Sequence, residues 1–421
     1  LYFLLALLCN ISLLHSKISS NEISIKDVKI LYSNFSNDDK NLEIAIADFS
    51  AMWAIRVGTL LKFCHEENEL NKGVSSIILV KDESLKNLPS GTFEIYIDVD
   101  DIIISSYNSE GICHALYTIA HQVLGARWYW PSALGFEWIG EAPKEYTFDN
   151  LRVEPSFDMR TLYPMDNDFS LRNRLSKGYF LNHNAAKIFK PKYKSLYPNI
   201  FSSVSASQSF VIGDTRLDLQ PNFANPLAVD ITAKEIVSFF KKNPYERSFS
   251  ISPNDNTLFD ESELTKSIVF PLEYFRDRPN YSNLTFSFAN QVANKVFNEE
   301  GLWETPSGEK RYITMLAYYW TEQTPEFPIH PRIMPILTSD RAQWHDESYR
   351  MEDMDLIRRW SNAGSDRLGT WDYYYGAPYP YPRQFNEFLS SSILYLYENN
   401  VDVFFSQIPS FWGLDGPKAW L

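Results

Sequence analysis

Cysteine is scarce: the 421 residues contain three. With Cys9 inside the apolar start, Cys64 and Cys113 allow one bridge at most, so no disulfide framework organises this chain. No Cys/His spacing of the zinc-binding kind occurs, and neither a metal nor any other cofactor is expected. Basic runs are absent and the formal net charge is −14, which excludes the positive footprint that a nucleic-acid partner needs. Long apolar runs are absent too. The longest, Leu1–Leu14, is short for a membrane span and is followed by polar, Ser-rich sequence. It reads as the apolar part of a secretory signal peptide over residues 1–20, with no initiator Met or charged segment before it, so the sequence is expected to start a few residues late. Lipidation at Cys9 is the other option, although Leu8 stands where a small residue is preferred. The expected location is secreted, periplasmic or cell-surface, with no transmembrane helix beyond the signal. Internal repeats and low-complexity tracts are also missing.

What is present is a globular composition, 44% hydrophobic and 22% charged, on a chain long enough for two domains. Aromatic residues reach 15%, with 11 Trp and 25 Tyr. Such rings suit the faces of sugars, and they also fill cores and interfaces.

Residues 26–150 read as a small α/β sandwich-like domain, a sheet with helices on one side. Strands are expected at Leu42–Ile46, Ser75–Val80 and Phe93–Val99, and helices over Ser50–Cys64 and Gly111–Val123. Asn108 or Ser109 caps the second helix and Gly125 stops it. A linker near Lys144–Pro155 leads into residues 156–421. There strands are expected at Phe157–Leu162, Tyr179–Asn182, Ser248–Ser252, Tyr312–Trp320, Ile333–Thr338, Arg367–Tyr373 and Val401–Ser406. Helices lie between several of them, at Ala228–Lys242, Glu261–Phe275, Leu284–Glu299, Met351–Asn362 and Gln384–Glu398. Strands spaced by helices mean parallel βα units and a TIM-type (β/α)8 barrel. Seven strands are one short, so the expectation includes an eighth unit beyond Leu421.

In such barrels reactive groups gather past the C-terminal ends of the strands. That rule selects Arg160, His183, Asn254, Asp255, Tyr319, Trp320, Glu322, Asp340, Asp372 and Tyr374. Glycoside hydrolysis needs one carboxylic acid to protonate the leaving oxygen and a second group to attack or stabilise the anomeric carbon. Glu322 is the expected acid, because Tyr319 and Trp320 beside it would desolvate it and raise its pKa. Asp255 and Asp372 are its expected partners, followed by Asp340. Each residue also has a plainer reading. Asp255 caps a helix or closes an Asx-turn. Glu322 is an exposed loop charge, His183 a satisfied buried histidine, and Arg160 the partner of a structural acid. Trp128 to Trp130 pack a domain junction, and Tyr373–Tyr375 with Tyr379–Tyr381 pack a loop rather than a sugar.

Gly111-Ile-Cys-His-Ala-Leu-Tyr117 and Leu124-Gly-Ala-Arg-Trp-Tyr-Trp-Pro131 resemble the end of the N-terminal α/β domain of family 20 hexosaminidases and family 67 α-glucuronidases. The remainder resembles the secreted bacterial family called domain of unknown function 4838. The segments that carry this are Arg172–Leu175, Asn182–Asn184, Ser250–Asp255, Asn290–Ala293 and Leu316–Glu322. The first resemblance implies an acid just after the fourth barrel strand, where Glu322 falls, and a first-strand Arg on sugar hydroxyls, where Arg160 falls. Hexosaminidases carry an Asp directly before the acid, whereas Thr321 stands here, which removes the residue that orients an N-acetyl group. The expected function is a glycoside hydrolase-like protein acting on an oligo- or polysaccharide by carboxylate acid/base chemistry. The alternative is a non-catalytic glycan-binding or surface protein on a degenerate barrel.

Overall fold

The computed structural model describes residues 21–35, 39–66, 70, 73–129, 131, 133–141, 145–148, 150–163, 165–204, 220–374 and 386–407. The signal-peptide expectation with Cys9, and those on Trp130, Tyr375 and Tyr379–Tyr381, lie outside these residues. The described residues fall into two compact units, one running to Ser176 and the other comprising Lys177–Tyr374 with Glu387–Gln407.

The first unit holds a mixed six-stranded sheet of β1 (Val28–Ser33), β2 (Lys62–Cys64), β3 (Ser75–Lys81), β4 (Phe93–Asp98), β5 (Asp101–Ser106) and β6 (Leu151–Val153). The strand order is β6-β4-β5-β3-β1-β2. β4 alternates buried and half-buried positions as a one-sided strand should. Two helices, α1 (Lys40–Val57) and α2 (Ser109–Gln122), pack on each other and share one apolar core with the strands. α2 begins where expected: the Asn108 side chain accepts from the Gly111 amide at 3.0 Å. Gly111 itself is required by close approach, since a Cβ there would lie 2.0 Å from Ser106 Oγ. Leu42–Ile46, expected as a strand, is instead the first turn and a half of α1. Its apolar residues continue as Phe49, Met52, Trp53 and Val57, a spacing of three and four, and Asp39 caps the start by accepting from the Asn41 and Leu42 amides. A short apolar run was outweighed by the longer helical period, and the helix expected over Ser50–Cys64 ends at Val57, with Lys62–Cys64 in β2. Cys64 and Cys113 are both unbridged and buried.

The second unit is built on β7 (Ser248–Ser250), β8 (Tyr312–Ala317), β9 (Ile333–Ser339), β10 (Leu368–Tyr373) and β11 (Val401–Gln407). Each pairs parallel with the next in sequence order. Helices between them include α3 (Pro226–Lys242), α4 (Glu263–Val269), α5 (Ser282–Ala293), α6 (Glu347–Ser361) and α7 (Asn386–Glu398). β8 and β9 are buried at every position, the signature of parallel strands covered on both faces. This is a mixed α/β protein whose second sheet makes half of a barrel; a closed eight-stranded ring is not found among the described residues. The expected first barrel strand is present as Met159–Tyr163 and belongs to the first unit.

Three expectations in the second unit need correction. Tyr179–Asn182 is not a strand. Hydroxyls of the neighbouring segment take its backbone groups instead: Ser248 Oγ accepts from the Phe180 amide at 2.8 Å and Ser250 Oγ donates to the Asn182 carbonyl at 2.5 Å. The helix expected over Glu261–Phe275 is shorter, because Pro271 cannot continue it. It gives way to a hairpin, Tyr274–Phe275 with Arg278–Pro279, whose two turn residues Arg276 and Asp277 both have positive φ. β8 ends at Ala317 rather than Trp320, and a 3-10 turn over Tyr319–Thr321 follows, with Tyr319 at φ +57°. Among the described residues no helix is long and apolar enough to cross a membrane.

Candidate functional site

A cavity of about 350 Å³ opens in the second unit where the chain leaves the C-terminal ends of β7 and β8. Its walls are His183, the loop Pro253–Thr257, Phe259, Leu316 and the turn Tyr318–Thr321. Of the residues selected from sequence it gathers His183, Asn254, Asp255, Tyr319 and Trp320.

The Pro253–Thr257 loop is held from below by Gln220, which is fully buried. Gln220 Oε1 accepts from the Asn254 amide at 2.9 Å, while Nε2 donates to the Asn254 carbonyl at 2.7 Å and the Asn256 carbonyl at 3.0 Å. Asn254 adds a further link, its side chain accepting from the Ala186 amide at 2.8 Å. Asp255, gripped on both sides through its neighbours, presents a side chain that is 68% exposed. His183, bridged to Ser252, lies beside the same stretch of chain. Its Nδ1 lies 2.6 Å from the Pro253 carbonyl, which can only accept, so Nδ1 carries the hydrogen and Nε2 is turned to within 3.9 Å of Asp255 Oδ1. Trp320 lies nearly parallel to Tyr281, at 5.5 Å and 11°, and also stacks with Phe259 at 5.6 Å, which fixes its ring at the cavity wall.

Glu322 follows directly on the cavity-lining Thr321 and is 4% exposed. It is neither a loop charge nor open to solvent. Arg276 donates to Oε1 in a short ion pair, and Arg278 Nη1 lies 3.5 Å from Oε2, which accepts no hydrogen bond. Burial pushes the Glu322 carboxyl up to about 7, against the pull of Arg276 and Arg278 and aided by Asp353 and Glu352. Arg276 is held above its ordinary value although burial opposes this, because Glu322, Tyr349, Glu352 and Asp353 outweigh it.

The ion pairs continue inward. Arg276 Nη2 lies 3.7 Å from Asp353, which accepts from Ser339 Oγ at 2.6 Å and Trp344 Nε1 at 2.9 Å and faces Arg341 Nε at 3.3 Å. Arg341 in turn pairs with Asp372, which also accepts from Tyr374 Oη at 3.0 Å. Asp372 and Tyr374, both selected from sequence, therefore lie in a fully buried polar cluster and not on the cavity. Three arginines, Arg276, Arg278 and Arg341, meet four carboxylates, Glu322, Glu352, Asp353 and Asp372. Within this cluster, burial raises the Glu322 carboxyl into the neutral range.

Asp340 accepts from Gln343 Nε2 at 3.1 Å beyond the end of β9. Arg160, in the first unit, directs its guanidinium to the carbonyls of Phe157 and Arg174, the latter at 3.1 and 3.3 Å. The sequence reading missed Arg276, Arg278, Arg341, Asp353 and Gln220. Arg276 and Arg278 lie just past an expected helix, Glu261–Phe275, that hid the hairpin carrying them; Pro271 was the available signal. Asp353 is the one buried acid of its helix and shares a face with Leu356, Ile357 and Trp360, a spacing that sets it apart from the exposed Glu352.

A family model described as "Domain of unknown function (DUF4838)" matches residues 141–421. No curated protein matches the chain. Among solved structures, a family GH115 4-O-methyl-α-glucuronidase with specificity for decorated arabinogalactans is similar at a TM-score of 0.51 and 9% identity, over 93% of this chain and 56% of that one. The chitobiase of Flavobacterium johnsoniae gives 0.45 and 11%, over 85% and 57%. The β-N-acetylhexosaminidase of Bacteroides fragilis gives 0.46 and 10%, over 92% and 83%. The chain thus spans little more than half the length of the first two, and the likeness to the glucuronidase is one of fold. By the match over residues 141–421, the chain belongs to the DUF4838 family.

Proposed function

We propose that this is a glycoside hydrolase-like protein that processes a complex extracellular or periplasmic glycan in the cavity at the ends of β7 and β8, on a (β/α)8-type barrel. The observation that carries the reading is one of placement. Loops past the C-terminal ends of two parallel strands enclose an accessible carboxylate, Asp255, with aromatic rings and a histidine, and a buried carboxylic acid, Glu322, directly follows the cavity-lining Thr321 in sequence. Glu322, raised to about 7, is the acid that protonates the leaving oxygen. Asp255 is the group that attacks, activates water or stabilises the anomeric carbon. His183, Asn254, Tyr319 and Trp320 hold the sugar. Asp372, joined by Tyr374, acts from behind by fixing Arg341 and through it Asp353 and Arg276. Arg160 holds backbone in the first unit.

The test is glycan release from mixed polysaccharides and aryl glycosides by the wild type and by Glu322→Gln and Asp255→Asn. The expected result is release that drops roughly a hundredfold or more in Glu322→Gln. Equal release by wild type and Glu322→Gln would remove the acid from this assignment. A second reading, a glycan binder without hydrolysis, is favoured by one observation: Arg276 and Arg278 both grip Glu322, and each favours its anion. Binding without release from any substrate would select it.

A further inference from the structure

We propose, building on the glycan reading above, that the sugar unit taken by this cavity carries no negative charge, and that Asp255 is the residue that excludes acidic sugars.

Among the described residues lining the cavity, Asp255 is the one acidic side chain, and neither Lys nor Arg is present. Its exposure puts the carboxylate in the cavity rather than behind it. In a space of about 350 Å³ every substituent of a bound sugar lies within Coulomb range of that carboxylate. The nearest arginines do not offset it. Arg278 stands over the Tyr319 ring, 4.7 Å from its centroid, but its guanidinium faces Glu322 Oε2 at 3.5 Å. Arg276 is divided among Glu322, Glu352 and Asp353. Both guanidinium groups are therefore directed at carboxyl groups outside the cavity.

The remaining walls point the same way. Tyr319 and Trp320 line the cavity with aromatic rings, which suit the C–H face of a pyranose and carry no positive charge of their own. Asn256 and Thr257 add uncharged polar side chains to the lining. An acidic residue such as a uronate would enter with its carboxylate unpaired and facing Asp255; a neutral hexose meets no such opposition.

The test compares the methyl β-glycosides of glucose and glucuronic acid, and of galactose and galacturonic acid, as ligands of the whole chain by saturation-transfer NMR at pH 8. Each pair differs only at C6, a hydroxymethyl group in one member and a carboxylate in the other. Wild type is expected to bind at least one neutral member on the order of tenfold more tightly than its uronide. Asp255→Asn, a change at an exposed side chain, is expected to bring the two within about threefold, and raised salt is expected to narrow the gap in wild type. A uronide bound as well as its neutral partner, or a preference that Asp255→Asn leaves intact, would overturn the inference while the glycan reading stands. Binding of none of the four would overturn both.

Discussion

At the scale of single residues, Glu322 concentrates the chemistry. Its carboxyl is raised to about 7 by burial, from an ordinary value of 4.5. Between those values the folded chain holds a proton that the unfolded chain has released. The stability contributed by that proton is complete below about 4.5 and is lost as the pH rises through about 7. Urea unfolding of wild type and Glu322→Gln at a series of pH values measures this. The stability of wild type relative to the variant is expected to fall by on the order of 3 kcal/mol between pH 4.5 and 8. A difference that does not change with pH would mean that the carboxyl is ionised throughout, as a plain ion pair with Arg276 would have it. Asp353 tests the same network from the other end. Asp353→Asn leaves Arg341 and Arg276 each with one carboxylate fewer at a fully buried position, and thermal unfolding is expected to show a loss of about 3 kcal/mol or more.

At the scale of elements, the cavity depends on a loop whose geometry is imposed by one side chain. Gln220→Ala removes the bonds that clamp Asn254 and Asn256 on either side of Asp255. A loss of about 2 kcal/mol is expected in thermal unfolding. Glycan affinity is expected to fall as well, although Gln220 does not line the cavity. In the first unit, Gly111→Ala forces a Cβ against Ser106 Oγ and the Thr92 carbonyl, and a cost of about 1–3 kcal/mol is expected. Both can be read by calorimetry, and unchanged melting would contradict the packing described.

Elements were legible where local pattern and tertiary demand agree. The uninterrupted apolar strands β8 and β9 and the capped helix α2 were visible because their periodicity, caps and burial coincide. Leu42–Ile46 was misread because its short apolar run masks the longer period of α1. Tyr179–Asn182 was misread because its partners are serine hydroxyls, which leave no trace in its own sequence. The same limit applies to the site. The carboxylate and aromatic positions at strand ends were visible from the rule that places ligands there. Arg276, Asp353 and Gln220 were not, since each acts through a contact made by folding and is distant in sequence from its partner.

At the scale of the whole molecule, two units of different construction share one acidic chain: a mixed sheet with a helical core, and a run of parallel βα units that carries the cavity. The central claim is that a glycan sits past the ends of β7 and β8. Amide hydrogen exchange, with and without oligosaccharides from partial hydrolysis of mixed polysaccharides, tests it most directly. The account predicts slowed exchange in Asn254–Thr257 and Tyr318–Glu322, and an effect that Asp255→Asn weakens. Protection confined to other segments, or none with any glycan, would contradict it.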